Sequence, residues 1–184
     1  MCTTYLTRGK WTLAIAGPMD HEMRMNPLYV SGAGAIVLLV VGGLATPIGS
    51  WYHDLRKPSW QPPNWLFGPA WTILLGLAAW SAAIAWTAAP DAAGRRAVVI
   101  LFAVNALFHF LWSPLFFALR RPDWALVEVV FLWASLVALL VGLAPISAFA
   151  AWLIVPYFLW VSFAAALNRA IVRLNAPFGQ QNGW

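Results

Sequence analysis

Five long apolar stretches constrain the fold of this chain more than any other feature of its sequence. They run over residues 27–49, 64–89, 95–119, 123–143 and 146–171. A helix that crosses a bilayer needs about 20 mostly apolar residues, whereas a transmembrane strand needs only about 9–11. Each stretch is therefore predicted to be a transmembrane helix. The fold class is predicted to be all-α, an integral membrane bundle of five transmembrane helices.

The charged residues support a membrane protein and argue against a nucleic-acid partner. Only 9% of the residues are charged, against about 25% in a typical soluble domain. The 11 lysines and arginines stand in ones and twos at the ends of the apolar stretches, which is typical of residues that set membrane topology. The single cysteine, Cys2, excludes an internal disulfide and a cysteine-based metal site. No metal, no cofactor and no catalytic residue is predicted.

The connections between the stretches organise the chain into one domain. "APDAAGRR", "RRPD" and "GLAPIS" are short, so consecutive helices are expected to pack as antiparallel neighbours in one bundle. This domain is predicted to cover residues 27–175. Residues 1–26 are predicted to be a disordered N-terminal tail, with Met25 as an alternative start, and residues 176–184 a C-terminal tail.

Three of the predicted helices carry a stripe that mixes aromatic and polar residues at helical spacing. The stripes contain Asn105, His109, Trp112 and Phe116; Trp124, Glu128 and Phe131; and Tyr157, Trp160, Ala164 and Asn168. A charged glutamate at the centre of a bilayer costs roughly 2.5–3.5 kcal/mol on insertion scales, so the stripes are expected to face inward. They fit either interhelical hydrogen bonds or an apolar ligand cavity with a few polar groups. Taken alone, His109 fits a hydrogen-bonded interior histidine better than a metal ligand.

Four segments resemble one known family. "WYHDLRKPSWQPPNWLFGPAW", "LWSPLFF", "DWALVEVVFLW" and "VPYFLWVSFAAALN" resemble, in order, segments of the TspO/translocator protein family. These are the tryptophan-rich sensory proteins, related to the peripheral benzodiazepine receptor, and the resemblance covers residues 45–175. It implies a five-helix bundle, usually a homodimer, with a pocket beneath the first loop. It also implies porphyrins or other tetrapyrroles as ligands, together with sterols and synthetic isoquinoline or benzodiazepine compounds.

The resemblance assigns roles to individual residues. Trp112, Trp124 and Trp160 correspond to the family's pocket tryptophans, Ala164 to a small residue that faces the ligand, and Asn168 to the asparagine of the fifth helix. Three positions depart from the family's pattern. Asn105 stands where the family often has glutamine, His109 where it usually has asparagine, and Arg169 where the animal sterol-recognition pattern has tyrosine. High-affinity cholesterol binding is therefore not expected, and a bacterial cell envelope is the expected location.

The loop between the first two stretches, residues 50–63, is expected to close the pocket. Pro58, Pro62 and Pro63 restrict the backbone of "KPSWQPPNW" to few conformations. Trp51 and Trp60 are therefore predicted to form a stiff aromatic lid. Arg56 and Lys57 would stand at the rim and meet a porphyrin propionate.

Three functions are compatible with these features. The first is a membrane receptor, sensor or carrier that binds tetrapyrroles in a pocket inside the bundle. The second is an enzyme that degrades porphyrin in light, which would depend on the ligand's own photochemistry. The third is a small proton-coupled transporter in which Glu128 and His109 relay protons, since ionisable residues inside a membrane permit that role.

Overall fold

The computed structural model describes residues 26–179, and most of the predicted N-terminal tail and the end of the C-terminal tail lie outside this range. Within it the chain is helical, which confirms the predicted fold class. The helices are α1 (Pro27–Leu44), α2 (Ser50–Asp54), α3 (Asn64–Ala88), α4 (Ala92–Ser113), α5 (Pro122–Leu143) and α6 (Ala148–Asn175). All of these except α2 are long and apolar enough to cross a membrane.

Local sequence signals set the ends of several helices. The side chains of Asn26, Asp91 and Ser147 accept hydrogen bonds from the first backbone N–H groups of α1, α4 and α6. These are the residue types that favour N-cap positions, because a helix leaves its first N–H groups without partners. At its other end α4 continues into a π-helical turn, Pro114–Ala118, where Pro114 has no N–H to donate.

The five long helices form one bundle. Helix α3 packs between α1 and α6, and α5 packs between α4 and α6, while α1 also touches α4. The core between them is aliphatic and includes Leu75, Leu132, Leu136, Leu139 and Ile154, all of which are buried. The loop of residues 50–63 joins α1 to α3 and lies at the end of the bundle where α6 finishes.

Buried polar side chains join neighbouring helices. Ser81 on α3 donates from Oγ to the Ala150 carbonyl of α6 at 2.7 Å. Asn105 on α4 donates from Nδ2 to Ser135 Oγ on α5 at 2.9 Å, and that hydroxyl donates to the Leu132 carbonyl. Lipid offers these groups no alternative partner, so each pair fixes how two helices meet.

Replacing Asn105 with leucine tests the α4–α5 pair. Asn105→Leu keeps the approximate volume but removes the bond to Ser135, so we expect the free energy of unfolding to fall by about 0.6–1.7 kcal/mol. Denaturant titration of the purified protein in detergent measures it. Thr87→Ala is the control, since Thr87 bonds only to the Ala83 carbonyl of its own helix. Equal stability of Asn105→Leu and the wild-type protein would contradict a structural role for the bond.

Candidate functional site

A cavity of about 580 Å³ lies inside the bundle beneath the loop. All five long helices contribute to its wall, and Tyr52 of α2 reaches it from the loop. The lining is mainly apolar, with aromatic and aliphatic side chains in similar numbers, and the polar groups are few. This volume and this composition are typical of small-molecule sites, which measure about 300–1,000 Å³.

A cluster of aromatic rings forms the wall contributed by α3, α4 and α6. Trp71 is at its centre, with edge-to-face contacts to His109 (4.8 Å between ring centroids), Tyr157 (5.9 Å) and Trp160 (6.3 Å). The Tyr157 hydroxyl is hydrogen-bonded to His109 Nδ1 at 2.9 Å. Each ring is in contact with at least one other ring of the cluster, which favours the orientations observed.

Two buried indole N–H groups distinguish this site from a purely apolar one. Trp112 stacks on Phe116, with 5.1 Å between ring centroids, and Trp160 packs edge-on against Phe67 at 5.8 Å. Within residues 26–179 neither Trp112 Nε1 nor Trp160 Nε1 has a hydrogen-bond partner. A buried donor without a partner costs about 1–3 kcal/mol. An acceptor atom that reached either N–H group would recover that cost.

Small residues make room for the cavity. Gly42 and Gly43 of α1 and Gly68 of α3 line it, and a Cβ added at any of them would have no heavy atom within 4 Å. Ala164 of α6 also lines it. Larger side chains at these positions would project into the open volume, so the size of the cavity depends on these four residues.

Asn168 lines the cavity but uses its amide to join α6 to α5. With Nδ2 turned towards the Pro122 carbonyl, Asn168 donates to that oxygen at 3.1 Å and accepts from Leu126 N–H at 3.1 Å. An α-helical hydrogen bond would join the same two backbone groups. The amide therefore bridges the first turn of α5 through both its nitrogen and its oxygen.

The loop packs over the cavity through Tyr52. The hydroxyl of this buried tyrosine donates to Asn64 Oδ1 at 3.1 Å and accepts from Gln61 Nε2 at 3.2 Å. Burial raises the pKa of Tyr52, and the hydrogen bond with Gln61 acts in the opposite direction. The ammonium of Lys57 donates to the backbone carbonyls of Tyr52 and His53 and lies 4.4 Å from the centre of the Tyr52 ring.

A single side chain fastens the loop to the end of α6. Asn175 accepts from the Arg56 N–H and donates to the Arg56 carbonyl, both at 2.8 Å. It also donates to the Ile171 carbonyl of its own helix. We call this pair of bonds between Asn175 and Arg56 the latch.

The structure brings together part of the predicted site. His109, Trp112, Trp160, Ala164 and Asn168 line the cavity. Tyr157 lies directly behind His109. Trp51 packs edge-on against Phe116, which is itself a lining residue. Asn105 bonds to Ser135 between α4 and α5 instead of lining the cavity.

Trp124 and Glu128 differ most from the prediction. Trp124 does not line the cavity; half of its surface is exposed, and the Arg121 guanidinium lies 4.2 Å from its ring centre. Tryptophan next to arginine at a helix end is typical of a membrane–water interface. Glu128 is buried but also lies outside the lining, and neither carboxylate oxygen has a partner within the described range.

The predicted rim and lid residues lie at the surface. Arg56 is exposed, and Lys57 is engaged with the carbonyl groups of α2. Trp60 is 49% exposed and packs edge-on against Phe163 of α6, with 5.7 Å between ring centroids. It therefore covers a side of the bundle next to the cavity and does not contact the cavity itself.

Sequence reasoning missed Trp71, Tyr52 and the three glycines. The signal for Trp71 was present, because Asn64, Gly68, Trp71 and Leu75 repeat at i, i+4, i+7 and i+11 on α3, the spacing of one helix face. Tyr52 carried no such signal, since α2 spans only five residues. In residues 26–179 no three His, Cys, Asp or Glu side chains come close enough to hold a metal.

Comparison with known proteins gives consistent matches. Residues 31–174 match the TspO/MBR family. The chain is 40% identical over 157 residues to tryptophan-rich protein TspO of Chlorobaculum tepidum, covering 82% of this chain and 99% of that protein. It is 33% identical over 160 residues to the tryptophan-rich sensory protein of Cereibacter sphaeroides (85% and 94%). It is 32% identical over 158 residues to the translocator protein of Sus scrofa (82% and 94%).

Removing the latch should loosen the loop without disturbing the helices. In Asn175→Ala the Arg56 N–H loses its acceptor, so we expect hydrogen exchange across residues 50–63 to accelerate several-fold, while exchange in α3 and α6 stays unchanged. Mass spectrometry of peptides from the exchanged protein measures this. Asn26→Ala is the matched control, because Asn26 caps α1 at the opposite end of the bundle. A loop that exchanges at the wild-type rate in Asn175→Ala would contradict the role of the latch.

Proposed function

Because this chain belongs to the TspO/MBR family of membrane sensors and translocators, we propose that it is a receptor or carrier that binds a tetrapyrrole inside its helix bundle. It is an integral, multi-pass membrane protein, and its bacterial relatives place it in the bacterial envelope. The ligand in this proposal is a porphyrin or a related flat, conjugated molecule. Sterols and synthetic benzodiazepine-type compounds are further candidate ligands, and a homodimer is the proposed assembly.

The observation that carries this proposal is the pair of buried indole N–H groups in an aromatic cavity. Trp112 and Trp160 supply two donors without partners, and the rings around them supply flat apolar surface. A conjugated macrocycle can stack on such rings, and a turn of either indole ring would bring its N–H group to an acceptor atom of the macrocycle. These two requirements together favour a flat ligand with hydrogen-bond acceptors over a simple acyl chain.

The charge distribution suggests how an acidic tetrapyrrole would be oriented. The lining residues include no lysine, arginine, aspartate or glutamate. Burying a carboxylate without a partner is costly, so the propionates of a porphyrin would stay outside the cavity. Arg56 is exposed on the loop above it. The macrocycle would then lie inside the bundle with its acidic edge at the membrane interface.

One titration separates binding from degradation. Purified protein is titrated with protoporphyrin IX in the dark and then illuminated, while tryptophan fluorescence and porphyrin absorption are recorded. The proposed receptor gives saturable quenching and leaves the porphyrin bands unchanged. Loss of the bands in light that requires Trp160 would favour a degrading enzyme, in which the contacts among Trp71, Tyr157 and Trp160 offer a chain of oxidisable rings. Absence of saturable quenching would overturn both functions.

Replacing Trp160 should weaken porphyrin binding far more than replacing Trp86. Trp160→Ala removes a lining ring, and an aromatic pair is worth about 0.5–1.5 kcal/mol beyond area burial, so the dissociation constant should rise several-fold or more. Trp86 is the matched control, because it lies beside Arg95 near the opposite end of α3. Fluorescence titration with protoporphyrin IX compares the two variants. Equal losses of affinity would contradict the assignment of this cavity as the binding site.

Loosening the prolines of the loop should accelerate ligand release. Pro62→Gly with Pro63→Gly removes two fixed φ angles, so an ordered loop becomes more costly in entropy. We expect the dissociation rate of protoporphyrin IX to rise several-fold, while far-UV circular dichroism stays unchanged. Stopped-flow displacement measures the rate. If release keeps its wild-type rate, the loop serves only as a connection between α1 and α3.

A further inference from the structure

A groove of about 430 Å³ runs along the outside of the bundle between α3 and α6. Its lining is apolar and includes Ala70, Leu74, Pro156, Leu159 and Phe163. Ala70 and Leu74 lie six and ten residues after Asn64, the first residue of α3. At about 1.5 Å per residue, the groove lies roughly 9–15 Å along the helix from the loop end. It therefore faces the acyl chains of the bilayer and not water.

Trp160 separates this groove from the internal cavity. Of all the residues that line either space in the described part of the chain, Trp160 is the one common to both. The Trp160 side chain thus borders both spaces. A change in the Trp160 rotamer would connect the lipid to the binding site.

Each of the two helices that line the groove contains a proline close to it. Pro69 lies inside α3 and Pro156 inside α6, and each lacks the N–H that a regular helix would use. At the far end the same two helices are joined by the buried bond from Ser81 to the Ala150 carbonyl. The pair is therefore fixed at one end and easier to bend near the groove.

The loop holds Trp160 in place indirectly. Trp60 of the loop packs edge-on against Phe163, and Phe163 packs against Trp160, with 5.7 and 5.5 Å between ring centroids. Trp60 does not line the cavity, and the ring contact found for it is the one with Phe163. Its position explains how a surface tryptophan can act on a site that it does not touch.

We propose that the groove between α3 and α6 is a lateral entrance through which a flat apolar ligand dissolved in the bilayer reaches the internal cavity. The Trp160 side chain closes this entrance, and Trp60 holds Trp160 in place through Phe163. The route rests on the proposed binding function, because the occupant of the groove is the same ligand in transit. A ligand that partitions into lipid would thus enter without crossing the polar loop.

Filling the groove tests the route. Ala70→Phe narrows the groove from α3 without altering a cavity residue, and Leu159→Trp does so from α6. With protein in lipid nanodiscs and protoporphyrin IX already dissolved in the lipid, stopped-flow tryptophan quenching gives the association and dissociation rates. We expect both rates to fall several-fold by the same factor, so that the dissociation constant is unchanged. Ala134→Phe is the control, since Ala134 is exposed on α5, away from the groove.

A double variant distinguishes the lateral route from a route beneath the loop. Trp60→Ala should raise both rates several-fold, because Phe163 and Trp160 lose their support. In Trp60→Ala/Ala70→Phe the acceleration should disappear, because the Trp160 side chain then moves freely but the groove beside it is filled by Phe. Acceleration that persists in the double variant, or wild-type rates in both groove variants, would overturn the lateral entrance. Absence of saturable quenching in the wild-type protein would instead overturn the binding function, on which the entrance depends.

Discussion

The packing of α3 against α6 inside the bilayer is the contact on which the rest of the structure depends. Lipid tails are as apolar as the side chains, so burial alone does not hold two helices together there. Helices α3 and α6 are held together instead by the bond from Ser81 to Ala150 and by the ring contacts of Trp71 with Tyr157 and Trp160. Two of these rings, Trp71 and Trp160, also line the cavity. Helix association and the proposed ligand binding therefore depend on shared side chains.

The architecture could be predicted from sequence because hydrocarbon leaves so few options. Backbone N–H and C=O groups that cannot hydrogen-bond to solvent must pair with one another, which leaves helices or a closed β-barrel. Five stretches of more than 20 residues favour helices, because a transmembrane strand needs only about 9–11 residues. The α4 and α6 stripes were also informative: His109, Trp112 and Trp160 line the cavity. Their period was enough to place each of these residues on the inward side of its helix.

Periodicity was less informative where one helix has several neighbours. Asn105 shares a stripe with Trp112, yet it turns to α5 because Ser135 offers a partner there. On α5 the buried residues are mostly aliphatic, with Glu128 and Ser135 as the polar exceptions, while Trp124 stays at the surface beside Arg121. Tryptophan suits both a pocket and a membrane interface, and sequence alone does not distinguish these environments. Gly42 and Gly43 of α1 line the cavity because of how α1 is spaced from its neighbouring helices, and the sequence of one helix alone does not predict that spacing.

The engagement of Asn168 has a consequence for selectivity. Its amide is bound through both nitrogen and oxygen to the backbone of α5, and Tyr157 is bound to His109, so these polar groups have less hydrogen-bonding capacity left to recognise a ligand. Strong discrimination between similar molecules comes from buried groups that the wrong molecule leaves unpaired. Because most such groups are already hydrogen-bonded within the protein, the site should discriminate between ligands by their shape and planarity. A broad range of chemically different, similarly shaped compounds is the expected repertoire.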